Sequence, residues 1–360
     1  MRKHNFNAGP SALPLPVLEE LQRTMVDYHG LGLSLVEASH RSSEYDEVHH
    51  SALRSVRALL GVPDTHDVLF LGGGATMQFA MVPMNLMGFG GSADIVHSGS
   101  WAAKALADMR KVGAANVVYD GKEHGFTTLP DPSDVRPTAG AAYLHITSNE
   151  TIGGLQWKEF PQTGDVPLVS DMSSDILSRR IDVSRFGLIY AGAQKNLGPA
   201  GVTVVIIRRD LLERIPDTLP AYLDYRTHAK SDSLLNTPPV FSIYALGLVM
   251  SWIADQGGLD AVAERNVDKA AMVYRTIDSS PGFFRCPVDR AYRSDMNVVF
   301  RLPSEELEKA FIAEAAERNM EGLKGHRSVG GIRASLYNAV PVESVQALTD
   351  LMTDFERRHG

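Results

Sequence analysis

Three short apolar runs between residues 166 and 207 place the strongest constraint on how this 360-residue chain can fold. They cover residues 166–169, 186–191 and 202–207, and glycine, proline or serine bounds each one. Runs of this kind are typical of buried strands. The first leads to Asp171, and the second leads through a glycine-rich turn to Lys195. Since ligands of open α/β sheets bind at strand ends, we predict a ligand site containing both side chains.

Strand-like and helix-like segments alternate along the first two thirds of the chain. Further strands are predicted at 67–71, 94–97, 116–119 and 141–147, and helices at 16–29, 44–60, 75–87 and 101–112. Beyond residue 239 the pattern changes to helices at 240–255, 259–277, 305–319 and 341–358, with strands at 296–301 and 331–337. The alternation predicts an α/β fold with a mostly parallel sheet covered on both faces, followed by a second, smaller domain.

Net charge, cysteine content and the length of apolar runs limit the functions that the chain can have. The net charge of −8 gives no support for binding to nucleic acid or to an anionic membrane. The one cysteine, Cys286, excludes an internal disulfide and fits a reducing compartment. No apolar run approaches the roughly 20 residues of a membrane helix, and the N-terminus lacks the apolar stretch of a signal peptide. We therefore expect a cytoplasmic protein.

An amine and a carboxylate at neighbouring strand ends suit one particular cofactor. A lysine amine forms a Schiff base with a carbonyl, and pyridoxal phosphate (PLP) carries an aldehyde for that reaction. A buried carboxylate keeps the pyridine nitrogen of PLP protonated. The alternative is ordinary: most lysines are solvated, and an aspartate after a strand often makes a turn. The small residues around Lys195, in YAGAQKNLGPAG, favour the PLP hypothesis over that alternative.

A glycine turn between a strand and a helix, in LFLGGGATMQF at 69–79, suits a phosphate. Free N–H groups and the helix dipole would point at one place. The segment lacks the Gly-Lys-Ser/Thr of a P-loop, and Met77 interrupts the dinucleotide pattern G-x-G-x-x-G. A small phosphorylated cofactor is favoured over a nucleotide.

Three further positions could hold parts of such a cofactor. Trp101 begins a helix and is either a core residue or a planar lid on the ring. Thr151, in SNETIGG, is either a turn residue or a hydroxyl that bonds a ring oxygen. Asn236 and Thr237 precede two prolines, in a polar loop that could reach a phosphate across a subunit boundary.

Two His-Arg pairs and one further arginine are candidate anion-binding residues: His40 and Arg41, His326 and Arg327, and Arg333. Arginine forks match carboxylates and phosphates bidentately. The pairs could also be surface coincidences, and Arg333 could form an ordinary salt bridge.

The chain resembles the phosphoserine aminotransferases, a family of fold-type I PLP enzymes, almost from end to end. The similar segments are NFNAGPSALP, ASHRS, FLGGGATMQF, SNETIGG, SDMSSDILSR, YAGAQKNLGPAG, NTPP and KGHRSVGGIRASLYNA. The resemblance implies a homodimer with shared active sites. It also implies an arm over residues 1–15, a large PLP-binding domain over 16–258 with a mixed seven-stranded sheet, and a small α+β domain over 259–360.

The resemblance also implies roles for individual residues. Lys195 would be the Schiff-base lysine, Asp171 the partner of the pyridine nitrogen, and Trp101 and Thr151 the contacts to the ring. The phosphate ligands would be Ala75, Thr76 and Gln194, with Asn236 and Thr237 from the other subunit. Substrate anions would be bound by Arg41 and Arg333, with His40, His326 and Arg327 lining the distal pocket. Many members have serine where this chain has Ala8, so a side-chain contact from the arm to the substrate is lost here.

The implied reaction is reversible amino transfer between L-glutamate and 3-phosphohydroxypyruvate, giving 2-oxoglutarate and O-phospho-L-serine; 4-phosphohydroxythreonine is a related substrate. Two alternatives on the same fold are a different class V aminotransferase and a cysteine desulfurase-like lyase. The lyase needs a reactive cysteine, and the surroundings of Cys286 in FFRCPVD do not suit that role. A DNA-binding regulator would need a basic helix-turn-helix segment, and the sequence offers none.

Overall fold

Thirteen strands are present in the computed structural model, which describes residues 2–360. In chain order they are β1 (His4–Asn5), β2 (His66–Leu71), β3 (Ser92–His97), β4 (Ala114–Asp120), β5 (Leu144–Thr147), β6 (Asn149–Glu150), β7 (Leu155–Gln156), β8 (Leu168–Asp171), β9 (Leu188–Gly192), β10 (Thr203–Arg208), β11 (Asn297–Phe300), β12 (Met320–Glu321) and β13 (Ile332–Ser335).

Seven of these strands form the main sheet, in the order β2-β10-β9-β8-β5-β3-β4. The strand β10 runs antiparallel to both of its neighbours, and the other pairs are parallel. The prediction of a mostly parallel, mixed seven-stranded sheet is confirmed. Because β2, β3, β5, β8 and β9 point the same way, the loops after them meet at one edge.

Ten α-helices cover the strands: α1 (Leu15–Thr24), α2 (Ser43–Leu60), α3 (Gly74–Val82), α4 (Ser100–Val112), α5 (Arg209–Leu212), α6 (Tyr225–Lys230), α7 (Val240–Asp255), α8 (Gly258–Asp278), α9 (Glu305–Glu317) and α10 (Val342–His359). Short 3-10 helices lie at Gly121–His124, Val183–Arg185, Ala221–Leu223 and Arg290–Tyr292. No single helix within residues 2–360 is long and apolar enough to cross a membrane, although α7 and α8, bent by 83° at their junction, would be so as a pair.

Two predicted helices end earlier than the sequence suggested. The first stops at Thr24 and not at residue 29, where His29 has a left-handed φ of 51°. The second, predicted over 75–87, changes at Pro83 into a π-helix that continues to Met87. Proline has no N–H to continue the α-helical ladder, which explains the change at that position.

Apolar side chains of the sheet alternate between two clusters, as the period of a strand requires. Val204 and Ile206 of β10 belong to the cluster shared with α2 and α7, whereas Val205 and Ile207 belong to the cluster shared with α3 and α4. Both faces of the sheet are therefore covered.

A third apolar cluster is built from α8, α9, α10, β11 and β13, together with the beginning of the chain. Phe6 is fully buried in it, and β1 pairs with β12 next to it. The chain then runs from this cluster to the edge of the main sheet, where the hydroxyl of Ser11 donates to the carbonyl of Lys195 at 2.6 Å.

Candidate active site

A cavity of about 430 Å³ opens at the edge of the main sheet where the parallel strands end. It is lined by residues from every loop at that edge, from the first residues of the chain and from β13: Ala8, Gly9, Gly73, Gly74, Ala75, Thr76, Trp101, Thr151, Ile152, Asp171, Ser173, Gln194, Lys195, His326 and Arg333. Nine of the fourteen predicted site residues are in this set.

Lys195 is the amine of the cavity. It follows β9 and is only 8% exposed, and its Nζ lies 2.6 Å from the Oγ1 of Thr151. Burial lowers its pKa to about 8, an effect that the charge of Asp171 opposes. At pH 7 roughly a tenth of this amine is therefore neutral and able to act as a base or nucleophile, far more than for a lysine of ordinary pKa.

Asp171 is the carboxylate of the cavity. It is the last residue of β8, it is 4% exposed, and its Oδ1 accepts the N–H of Ser173 at 2.9 Å. Burial raises its pKa, while Ser173 and the charge of Lys195 lower it. A buried carboxylate of this kind favours a cationic partner in the cavity, such as a protonated ring nitrogen.

The glycine turn after β2 shapes one end of the cavity. Gly73 and Gly74 have φ angles of 85° and 63°, and a Cβ on Gly73 would lie 2.5 Å from the Cβ of Met77. The clash at Gly73 therefore requires glycine there, and the left-handed φ of Gly74 favours it. The turn leads into α3, and Ala75 and Thr76 in the first turn of that helix line the cavity, so this end of the cavity suits a phosphate.

Trp101 forms a flat wall of the cavity. It lies in the first turn of α4, and its ring centroid is 5.4 Å from the Nζ of Lys195. Its Nε1 is buried and has no hydrogen-bond partner within the described residues. The indole therefore suits stacking against a planar ring bound in the cavity.

Arg333 and His326 approach from the C-terminal part of the chain. The Nη1 of Arg333 donates to the carbonyl of Thr151 at 3.5 Å, and its buried Nε finds no acceptor in the part of the chain that the structure describes. Burial and the charges of Arg333, Arg327 and Lys104 lower the pKa of His326. The positive charges of three basic side chains thus act at His326, which favours an anion there.

Five predicted site residues lie outside the cavity. Arg327 is exposed and follows His326. The other four lie in two loops that contact each other, His40 and Arg41 in one and Asn236 and Thr237 in the other. The Nδ1 of His40 is 3.4 Å from the Oγ1 of Thr237, and Arg41 and Asn236 are exposed. Within one chain, these residues are not brought to Lys195.

Sequence reasoning missed two groups next to the cavity. Ser173 holds Asp171, and Glu150 is a carboxylate only 1% exposed that accepts hydrogen bonds from α4. Glu150 was hidden within SNETIGG, where a glutamate between polar residues looks like part of a turn. Within residues 2–360 no group of three or more His, Cys, Asp or Glu side chains could hold a metal ion.

Comparisons with known proteins are consistent along the whole chain. The family described as Aminotransferase class-V matches residues 3–348. A phosphoserine aminotransferase of Geobacillus kaustophilus is 58% identical over 357 residues, which are 99% of each sequence. The solved structure of phosphoserine aminotransferase from Bacillus circulans subsp. alkalophilus has a TM-score of 0.98 at 53% identity, covering 100% of this chain and 99% of that one. A PLP-bound phosphoserine aminotransferase from Trichomonas vaginalis has a TM-score of 0.90 at 37% identity, covering 98% and 100%.

Proposed function

The chain belongs to the aminotransferase class-V family, and we propose that it is a phosphoserine aminotransferase. The reaction is reversible amino transfer between L-glutamate and 3-phosphohydroxypyruvate, giving O-phospho-L-serine and 2-oxoglutarate. The observation that carries the proposal is the buried amine of Lys195 in one cavity with the buried carboxylate of Asp171. The full-length identity to relatives of that name supports the substrate assignment.

Pyridoxal phosphate is the cofactor, and the residues of the cavity fit it. When bound, it supplies an aldehyde that condenses with an amine and a ring that withdraws electrons from the substrate Cα. Its phosphate would be held by Ala75 and Thr76 in the first turn of α3 and by Gln194 after β9. Trp101 would lie against its ring, and Asp171 would hold the proton on the ring nitrogen.

Three residues of the cavity have separate roles in the proposed reaction. Lys195 would take the proton from the substrate Cα through its Nζ, and its lowered pKa suits a base near neutral pH. The hydroxyl of Thr151, 2.6 Å from Nζ, is placed to orient the amine. Arg333, whose Nε has no acceptor in residues 2–360, would bind the α-carboxylate.

The distal anion would be read by the two His-Arg pairs. We infer that His326 and Arg327 act from the same chain, where their charges already influence each other. His40 and Arg41, together with Asn236 and Thr237, would act in the active site of a partner subunit, because their loops meet each other and, unlike Arg327, do not adjoin a residue of the cavity of their own chain. The chain would therefore work as a homodimer with shared sites.

We also infer the domain limits and the location. The third apolar cluster, which draws on α8 to α10 and on Phe6, supports a small domain over 259–360, a large domain over 16–258 and an arm over 1–15. The single cysteine supports a cytoplasmic enzyme. A desulfurase-like activity is disfavoured because burial raises the pKa of Cys286, whereas a nucleophilic thiol needs a lowered one.

The substrate assignment is tested by matched kinetics on the PLP-loaded protein. Phosphoserine should exceed serine in kcat/KM by orders of magnitude, because the serine hydroxyl leaves the distal cations unpaired. Arg327→Leu should impair phosphoserine more than alanine, which does not reach the distal pocket, while Arg333→Leu should impair both. Equal losses for both substrates in Arg327→Leu would remove the phosphate-reading role of that residue.

Shared sites are tested by hybrid dimers. Lys195→Ala protein should be inactive, and so should a double variant carrying Asn236→Ala and Thr237→Ala. If sites are shared, mixing the two after subunit exchange restores part of the activity, since one site of each hybrid is intact. Absence of recovery after verified exchange would argue for sites built within one subunit.

A further inference from the structure

A buried carboxylate without a role in the proposed reaction lies beside the first turn of α4. The Oε2 of Glu150 accepts the N–H of Trp101 at 3.1 Å. Its Oε1 accepts the N–H of Ala102 at 3.0 Å and the hydroxyl of Ser98 at 3.3 Å. The N-cap of α4 is Gly99, which has no side chain to make these bonds. Glu150 therefore caps the helix from a distant part of the sequence.

The fit between Glu150 and the helix is tight. A Cβ placed on Gly99 would lie 2.6 Å from the Cδ of Glu150, so the carboxylate fills the space that a capping side chain would need. Two hydrogen bonds and this contact fix the start of α4 relative to β6. The negative charge also lies at the positive end of a 13-residue helix.

Glu150 is linked to two residues that line the active-site cavity, Thr151 and Trp101. Thr151 follows Glu150 directly and contacts the Nζ of Lys195 at 2.6 Å. Trp101, whose N–H Glu150 accepts, has its ring centroid 5.4 Å from the same Nζ. A movement of Glu150 would therefore shift the indole of Trp101 and the hydroxyl of Thr151 together.

We propose that Glu150 is a positioning residue for the active site, whose carboxylate holds the first turn of α4 so that Trp101 keeps the spacing from Lys195 that a planar cofactor ring requires. The inference rests on the proposed function for the identity of that ring. Glu150 itself does not line the cavity.

The ionisation of Glu150 gives this role a signature. Burial raises its pKa to about 7, and the charge of Asp171 adds to that effect, while the two helix N–H groups and Ser98 oppose it. The charge of Glu150 in turn raises the pKa of Lys195. A protonated carboxyl is a weaker acceptor for two N–H groups, so the hold on Trp101 should loosen as the pH falls through neutrality.

The test begins with cofactor-free protein, in which only the positioning is measured. The fluorescence of Trp101 is taken as the difference between each protein and the same protein carrying Trp101→Phe. In the wild type we expect this emission to change with pH, with a midpoint near 7. Glu150→Gln should abolish the midpoint, and Glu159→Gln, the same change at an exposed carboxylate, should keep it.

The loaded enzyme supplies the second measurement. In Glu150→Gln we expect kcat to fall roughly ten- to a hundred-fold, the range that a misplacement of about 1 Å costs, with a smaller change in the KM for glutamate. If Glu150→Gln does not fold, Glu150→Asp, which keeps the charge but shortens the reach, should show a weakened form of both effects.

An unchanged Trp101 emission and an unchanged pH midpoint in these variants would overturn the proposal, whatever the activity. A wild-type protein that shows the midpoint near 7 but performs no transamination would instead refute the proposed function and leave the positioning intact.

Discussion

Two buried lysines, Lys195 and Lys269, have similar burial and different surroundings. Lys195 is 8% exposed and Lys269 is 2% exposed, and burial lowers their pKa values to about 8 and about 7. The Nζ of Lys269 donates to the carbonyls of Leu336, Tyr337 and Val340 at 2.9, 2.8 and 3.1 Å, so every N–H of its ammonium has an acceptor. Lys195 has one hydroxyl partner and faces a cavity. Burial and a lowered pKa do not by themselves identify a reactive amine; a free N–H and an adjacent cavity do.

Replacing Lys195 should have the largest effect of these changes, and it should affect turnover but not folding. We expect Lys195→Ala to reduce kcat/KM by roughly 10⁴- to 10⁶-fold, as loss of an essential nucleophile or base does. Folding should be preserved, because no backbone group loses its partner. The measurements are steady-state kinetics and thermal melting, with Lys122→Ala at an exposed lysine as the control. Retention of a large part of the turnover would remove Lys195 from the mechanism.

Replacing Lys269 should affect stability and spare chemistry. Lys269→Met fills a similar volume but removes a donor from three carbonyl oxygens, of which only that of Tyr337 keeps another, the N–H of Val340. We expect this to cost roughly 3–5 kcal/mol in the free energy of unfolding. The kcat of the folded protein should stay within a few-fold of the wild type. Urea unfolding and kinetics at low temperature measure both. A large loss of kcat with unchanged stability would contradict the distinction between the two lysines.

Asp171 acts on Lys195, whereas in residues 2–360 the charge that acts on Lys269 is that of Arg265 and not a carboxylate. Asp171→Asn keeps the shape but cannot hold a proton on a ring nitrogen through a negative charge. We expect the half-reaction with glutamate to slow by roughly 10²- to 10³-fold, similar to the loss of one preorganised electrostatic contact. Stopped-flow absorbance on the loaded variant measures that rate, and an unchanged rate would exclude this role.

The two lysines should also respond differently to pH in the cofactor-free protein. Between pH 8 and 10.5 the unfolded chain retains the Lys195 proton that the folded chain has lost, so the unfolded state binds more protons and stability rises with pH. Relative to Lys195→Met, the wild type should gain up to about 3 kcal/mol across that window. Burial lowers the pKa of Lys269 further, to about 7, so the corresponding curve against Lys269→Met should begin to rise at a lower pH and rise further. Urea unfolding at several pH values provides both curves.

The sequence predicted the elements whose periodicity is strong and local. The helix predicted over 240–255 is present with those bounds as α7, and each predicted strand of the main sheet is present within a few residues. Hydrophobic periodicity did not predict the helix boundaries that depend on backbone geometry, at Thr24 and Pro83. It also did not predict α6, because six residues are too few to show a period.

Single buried charged residues were harder to recognise. Lys269 occupies the buried stripe of α8 with Val262, Asn266 and Val273, so its position in the helical period was an available signal. Glu150 had no such signal, because its partners are backbone N–H groups of a helix about 50 residues away. The residues facing the cavity were found from strand ends and glycine turns, whereas the groups that support them depend on contacts that sequence spacing does not encode.

The close contact between Gly99 and Glu150 has an evolutionary consequence. Any side chain at position 99 would occupy the space of the carboxylate, and a smaller residue at position 150 would leave the start of α4 uncapped. A serine, threonine or aspartate at position 99 could restore the cap only if position 150 shrank at the same time. The two positions are therefore expected to covary among relatives, with intermediates of lower fitness between two compatible pairs.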